Sequence, residues 1–273
     1  MAIGFEDIWD FHTDLRHVQA TRDDRPYLLE QIDLPAAVRL GGLFSATGRK
    51  AGTPLRKMGD PQNIQLAHLK EQIQTIKEAK GLTLVLSAAD LDGTGRQVMH
   101  AEGIYYIEKE KDLGLLDWLW EEGFRSLAPL YNADNALGGG GTGDPGRGLT
   151  PLGGDFARKA WEKGFLLDCA HMNHKSKEEL ADLALATGNA LHYSHGHLDE
   201  PINPELGQRG VPRDLARKLT ASGGLIGLMP HPGFIGTFKR HMKEIEYLAG
   251  FAPDQVVFGS DFAGINKTGP TGH

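Results

Sequence analysis

Nine short apolar segments rich in Leu or β-branched residues alternate with longer segments whose apolar positions recur at helical spacing. This alternation runs almost to the last residue and constrains the fold more than any other feature of the chain. It is the signature of βα units laid on a parallel sheet. Strands are expected near 7–13, 36–43, 82–87, 97–102, 125–130, 164–169, 189–194, 224–229 and 255–260. Helices are expected at about 61–79, 112–122, 152–163, 175–187, 212–222 and 237–249. Ser176 and Pro212 read as helix starts, and Gly123, Gly164, Gly188 and Gly250 fall just past helix ends. Short strands clustered at 82–102 suit a (β/α)8 barrel of the TIM type with one extra hairpin strand, a single α/β domain over 1–273. An open doubly wound sheet is the alternative, but no glycine fingerprint follows the first strand. Only 12 residues follow Asp261, too few for a loop and an eighth helix of ordinary length. The barrel is therefore expected to be C-terminally incomplete. Its exposed edge would be covered by further residues, by the N-terminal segment, or by a second subunit of a homodimer.

Charge and composition narrow the partners. With 29 basic and 36 acidic residues the net charge is −7, which disfavours nucleic acid and anionic membrane surfaces, both of which select basic patches. Cys169 is the only cysteine, so no intrachain disulfide can form. Residues 1–20 lack a basic start followed by an apolar core, and there is no uninterrupted apolar run of ~18 residues. The expectation is a cytoplasmic protein that acts on a small molecule. The glycine-rich stretch from Asn135 to Gly148 lacks the Gly-Lys-Ser/Thr ending of a phosphate loop and reads instead as a mobile βα connection.

Twelve histidines are a high share, and their placement matters because His is the commonest metal ligand. His12 and Asp14 close the first strand at i, i+2 spacing, and Glu102 ends the strand of residues 97–102. His171 and His195 each follow one of two successive strands, and Asp261 does the same after residues 256–260. Core packing at strand ends would favour Val, Ile or Leu, whereas a barrel keeps its chemistry at the C-terminal ends of its strands. The six groups together point to a metal site, and their N/O character selects Zn²⁺ or a similar divalent ion. Five ligands exceed one tetrahedral zinc and suit two ions sharing a carboxylate. His68 and His241 fall in helices, His17 and His174 on loops, and His192 is out of phase with His195. His100 shares a face with Glu102 and is a candidate to support it.

These pieces resemble the membrane (renal) dipeptidase family of zinc peptidases, which are barrels related to the amidohydrolases. The resemblance is carried, in order, by Asp10-Phe11-His12-Thr13-Asp14, Ala101-Glu102-Gly103, Gly123-Phe124-Arg125 leading to Asn132 and Asn135, Gly148-Leu149-Thr150-Pro151-Leu152-Gly153 and Asp168-Cys169-Ala170-His171. It continues through Ser194-His195, Arg209-Gly210-Val211-Pro212, Gly223-Gly224-Leu225-Ile226-Gly227 and Gly259-Ser260-Asp261-Phe262. It implies two Zn²⁺ per chain, with His12 and Asp14 on one, His171 and His195 on the other, and Glu102 bridging them. It implies Asp261 as proton carrier, Arg209 on the substrate carboxylate, and Tyr131 and Asn135 facing the substrate, a dipeptide or similar carboxylate-bearing amide. One position departs from the pattern: Tyr131 stands where the family has a histidine thought to contact the reacting carbonyl oxygen. The alternatives are a related amide, N-acyl amino acid or lactone hydrolase, or an inactive metal-binding homologue.

Overall fold

A computed structural model of the chain describes residues 9–14, 41–46, 65–78, 83–91, 96–199, 207–230 and 236–261. Among these residues nine strands run β1 (Trp9–Asp14), β2 (Gly41–Ala46), β3 (Thr83–Leu84), β4 (Arg96–Glu102), β5 (Phe124–Ala128), β6 (Leu166–Asp168), β7 (Leu191–His192), β8 (Ile226–Leu228) and β9 (Val256–Phe258). Among the described residues six α-helices are interleaved: α1 (Leu66–Glu78), α2 (Leu115–Glu122), α3 (Pro151–Lys163), α4 (His174–Thr187), α5 (Arg213–Ala221) and α6 (Phe238–Ala249). All strand pairs are parallel, in the order β7-β6-β5-β4-β2-β1-β9-β8. The ends of that row meet. Tyr193, just past β7, bridges Ile226 of β8, its N–H donating to Leu225 O at 2.9 Å and its carbonyl accepting from Gly227 N at 2.7 Å. Eight strands therefore close into a barrel.

The ninth strand, β3, corrects an expectation. It pairs with the start of β4 in parallel, Thr83 with Arg96, and so is not a hairpin partner. A parallel pair needs a return crossover, and its described part, residues 85–91, includes a 3₁₀ turn at Ala88–Asp90.

Local chemistry accounts for the helix boundaries. Thr150 caps α3 by accepting from Gly153 N, with Pro151 in the first turn where its missing N–H costs nothing. α4 begins at His174, earlier than Ser176 implied, because Asn173 is the cap and accepts from Ser176 N at 2.8 Å. Gly123 and Gly164 end α2 and α3 in the left-handed conformation that only glycine adopts cheaply, at φ 105° and 98°. Gly250 does not use it, with φ at −65°.

Burial follows the barrel plan. From Gln97 to Glu102 every residue of β4 is buried, as expected where one face of a parallel strand meets helices and the other the barrel interior. Phe156, Ala157 and Ala160 of α3 form one buried stripe beside Phe165 and Leu167. Truncating a fully buried phenylalanine such as Phe156 costs about 3–5 kcal/mol.

The glycine-rich connection after β5 is packed, contrary to the mobile loop expected. Gly141 N donates to His171 O at 2.7 Å, Asn173 N to Gly139 O at 3.0 Å, and Gly139 N to Ser176 Oγ at 2.9 Å. A Cβ at Gly140 would collide with the carbonyls of Asn132 and Ala133. The glycines permit close backbone approach here.

Among the described residues, no helix is long and apolar enough to cross a membrane. Residues 262–273, which bear on the expected absence of an eighth helix, lie outside the described residues.

Candidate metal centre

Glu102 ends β4, His171 follows β6, and His195 follows β7. Neighbouring strand ends thus bring three buried donors to one point. His171 Nε2 lies 2.7 Å from Glu102 Oε1 and 3.0 Å from His195 Nε2, and the Glu102–His195 separation is 3.8 Å. Among the described residues this is the cluster able to hold a metal ion. Ligands held ~2.0–2.2 Å from one zinc stand roughly 3–3.5 Å from each other, so the spacing fits a cation.

Hydrogen bonding behind the rings fixes which nitrogen faces the centre. His171 Nδ1 is 2.8 Å from Asn132 Oδ1, an acceptor, so Nδ1 carries the proton and donates. The hydroxyl of Ser194 donates to Asp168 Oδ2 at 2.5 Å, so its oxygen accepts from His195 Nδ1 at 2.8 Å. Both imidazoles therefore present an Nε2 lone pair to the shared space, the form in which histidine binds a metal.

Asp168 organises the inner wall. Its Oδ1 accepts from Ala170 N and Ser194 N at 2.9 Å each, and its Oδ2 lies 3.4 Å from His100 Nε2. His100 Nδ1 in turn is 2.8 Å from Ser126 Oγ. A buried chain thus runs Ser126–His100–Asp168–Ser194–His195, so His100 stands behind Asp168 and not behind Glu102 as expected.

The outer wall is built differently. Tyr131 stacks on the His171 ring with centroids 4.3 Å apart and planes 25° from parallel. Asn132 and His171 both adopt positive φ, 60° and 64°, which costs a non-glycine residue of order 1 kcal/mol or more. Such strain persists where the surroundings over-determine it, and here both ends of the Asn132–His171 hydrogen bond carry it.

Arg209 comes from the connection between β7 and α5. Its Nη2 stands 3.2 Å from His171 Nε2 and 3.3 Å from His195 Nε2, so the guanidinium borders the metal space. Asp261, three residues past β9, is buried with φ 51°. Asn135 does not join the cluster: its Nδ2 donates to Pro129 O at 2.8 Å and its Oδ1 accepts from Leu137 N at 2.8 Å, which holds the glycine-rich connection in shape. His12 and Asp14 lie on β1, where the structure describes the backbone; their side chains fall outside the described residues.

The supporting residues Asn132, Asp168 and Ser194 carried no assigned role in the sequence reading. Asp168 offered one signal, a carboxylate two residues into the apolar run Leu166-Leu167-Asp168-Cys169-Ala170. Cys169 is fully buried, and burial pushes its thiol up, away from the thiolate form. His192 is pushed down to about 4 by burial, against a nearby Asp168 that pulls the other way.

Residues 28–272 match the membrane dipeptidase family, peptidase family M19. Among curated proteins, the chain is 29% identical over 133 residues to an uncharacterized protein of the PQQ-III 3′ region of Acinetobacter calcoaceticus, covering 45% of this chain and 40% of that one. It is 26% identical over 185 residues to an uncharacterized dipeptidase of Schizosaccharomyces pombe, covering 63% and 42%. The matches thus span about two fifths of these relatives' length. A metallopeptidase of Rhodobacter sphaeroides, solved with a phosphinate mimic of the dipeptide L-Ala-D-Ala, superimposes with a TM-score of 0.69 at 20% identity, over 94% of this chain and 86% of that one. At that identity the likeness is one of fold. With the family match extending over most of the barrel, the chain belongs to the membrane dipeptidase family.

Proposed function

We propose that the chain is a zinc-dependent hydrolase that cleaves the peptide bond of dipeptides at a two-zinc site within a single barrel domain, in the cytoplasm. The observation that carries this reading is the meeting of Glu102 Oε1, His171 Nε2, His195 Nε2 and Arg209 Nη2 in one buried space. His171 and His195 would hold one ion, His12 and Asp14 the second, and Glu102 would reach both. Bound there, divalent cations lower the pKa of a water and polarise the scissile carbonyl.

The chain's own groups supply the rest. Arg209 offers a planar fork of N–H donors that matches a free carboxylate, and so selects short substrates that end near the metal space. Asp261 would take a proton from the attacking water and pass it to the leaving amine. Asn132 and Ser194 keep the Nε2 lone pairs of His171 and His195 aimed inward while charge changes beside them. Fixed dipoles of this kind need no rearrangement during the reaction. The phosphinate dipeptide mimic bound by the Rhodobacter protein makes L,D as well as L,L dipeptides the substrates to try.

The test is a panel of L,L and L,D dipeptides and their C-terminal amides with added Zn²⁺, alongside elemental analysis. Hydrolysis of the free acids, with a loss of several kcal/mol in kcat/KM on Arg209→Ala that is much smaller for the amides, is the expected result. Equal losses on both remove the carboxylate-reading role. A second reading follows from the Tyr131 ring stacked on His171: the enzyme cleaves another amide or a lactone. Under the dipeptidase reading Tyr131→His raises kcat by about 10-fold or more. An unchanged or lower kcat, with good lactone or N-acyl amino acid hydrolysis by the wild type, selects the second.

A further inference from the structure

Lys177, in the first turns of α4, is fully buried, yet the chemistry described so far gives it no part. Its ammonium group meets three successive backbone carbonyls: Gln208 O at 3.0 Å, Arg209 O at 2.8 Å and Gly210 O at 2.8 Å. An ammonium has three N–H donors, and three carbonyls are on hand to receive them. An extended segment points successive carbonyls in alternating directions. Turning three of them onto one point requires residues 208–210 to curl around the cation, and Arg209 is the middle residue of that curl.

The rest of the loop is held at its edges. Gln208 N donates to Gly141 O at 2.7 Å and Val211 N to His197 O at 3.0 Å. The Tyr193 hydroxyl donates to Arg209 O at 2.9 Å, so this carbonyl accepts from both Tyr193 and Lys177. The Arg209 side chain passes so close to Gly141 that a Cβ there would meet its Cγ. Without the Lys177 charge, three carbonyl dipoles would face one another around a buried point with no cation to receive them, and the curl would open.

We propose that Lys177 is a positioning residue that sets the place of the Arg209 guanidinium beside His171 and His195, acting through the 208–210 carbonyls and not on substrate. For its consequence in catalysis this rests on the dipeptidase reading; for its effect on the loop it does not. The two arms of the test keep these apart. In the first arm, hydrogen exchange is compared between the wild type and Lys177→Met, with Lys177→Gln in reserve because it retains a donor and the volume. The amides of Gln208 and Val211 should exchange at least about 10-fold faster, while β4 amides stay unchanged. Unchanged exchange at 207–211, or equal acceleration everywhere, overturns the proposal whatever the enzyme's substrate.

The second arm is kinetic. Lys177→Met should raise KM for a free-acid dipeptide by about 10-fold with kcat within about 3-fold, leave the C-terminal amide nearly unaffected, and retain the wild-type zinc content. In an Arg209→Ala background the same substitution should cost nothing further, because the group it positions is gone. Equal losses on acid and amide, or additive losses with Arg209→Ala, would show that Lys177 only supports the fold. If the wild type cleaves no dipeptide, the dipeptidase reading fails, and the exchange arm still decides the placement of the loop.

Discussion

His171 and His195 aim the same ring nitrogen at the same space, but they are held from opposite sides. His171 is gripped from the loop side by Asn132 and the Tyr131 ring, on backbone strained at both partners. His195 is held from inside the barrel by Ser194 and Asp168 on strand ends without such strain. Asp168 also steadies the approach to His171 through Ala170 N. The inner wall is therefore common to both ligands and the outer wall serves one. Damage to the two walls should look different.

The largest effect is expected from Asp168→Ala. It removes the partner of Ser194, Ala170 N and His100 together, and losing one member of a buried charged network costs about 3–5 kcal/mol. Zinc affinity should fall at least ~10–100-fold as His195 loses its orientation. Chemical denaturation and zinc titration measure the two, and full zinc affinity would reduce the inner chain to packing. Next comes Asn132→Gly. Zinc affinity should drop about 10-fold, while folding stability stays within about 1 kcal/mol because glycine relieves the positive φ as the hydrogen bond is lost. A stability loss as large as that of Asp168→Ala would erase the contrast between the walls. Tyr131→Leu should cost about 1 kcal/mol, the worth of a ring stack beyond its area, with Tyr131→Phe close to wild type. Equal effects of the two would mean that the hydroxyl matters and the stack does not.

The smallest effect concerns His192, whose ring lies outside both walls and against the start of β8. His192 accepts from Leu225 N at 3.1 Å and is held neutral by burial, at about 4. Its folded pKa lies below the unfolded ~6.5, so the unfolded chain takes up a proton first. The stability that this group contributes is whole above about pH 6.5 and is lost as pH falls toward 4, by at most about 1.4 kcal/mol per pH unit. His192→Gln should flatten that part of the stability profile of the zinc-free protein. An unchanged slope would place the titration elsewhere.

The barrel was legible because βα alternation is written in periodicity, and most strand and helix centres landed where the apolar pattern put them; the second strand, expected at 36–43, instead runs Gly41–Ala46. Turn chemistry was harder to read. Asn173, not Ser176, caps α4, since a cap depends on which side chain reaches an N–H. β3 looked like a hairpin arm because a parallel and an antiparallel neighbour share one apolar pattern. Of the site, Glu102, His171 and His195 were readable as polar groups at or beyond strand ends, and Arg209 only through the family resemblance. Asp168 and Lys177 were not: each acts through groups distant in sequence, and only the folded chain shows that Lys177 lies under residues 208–210.

Barrel closure itself has a consequence for the order in which the site can be completed. The three clustered donors, Glu102, His171 and His195, sit at or just past the ends of β4, β6 and β7, within one run of adjacent strands, whereas Arg209 rides on the connection that crosses the seam to β8. Tyr193 makes that seam with its backbone and reaches Arg209 O with its hydroxyl. A chain opened between β7 and β8 would retain its cation ligands but lose a post of its arginine loop. Under the proposed function, ion binding and recognition of a carboxylate would thus separate along the folding path, the second depending on the seam being shut.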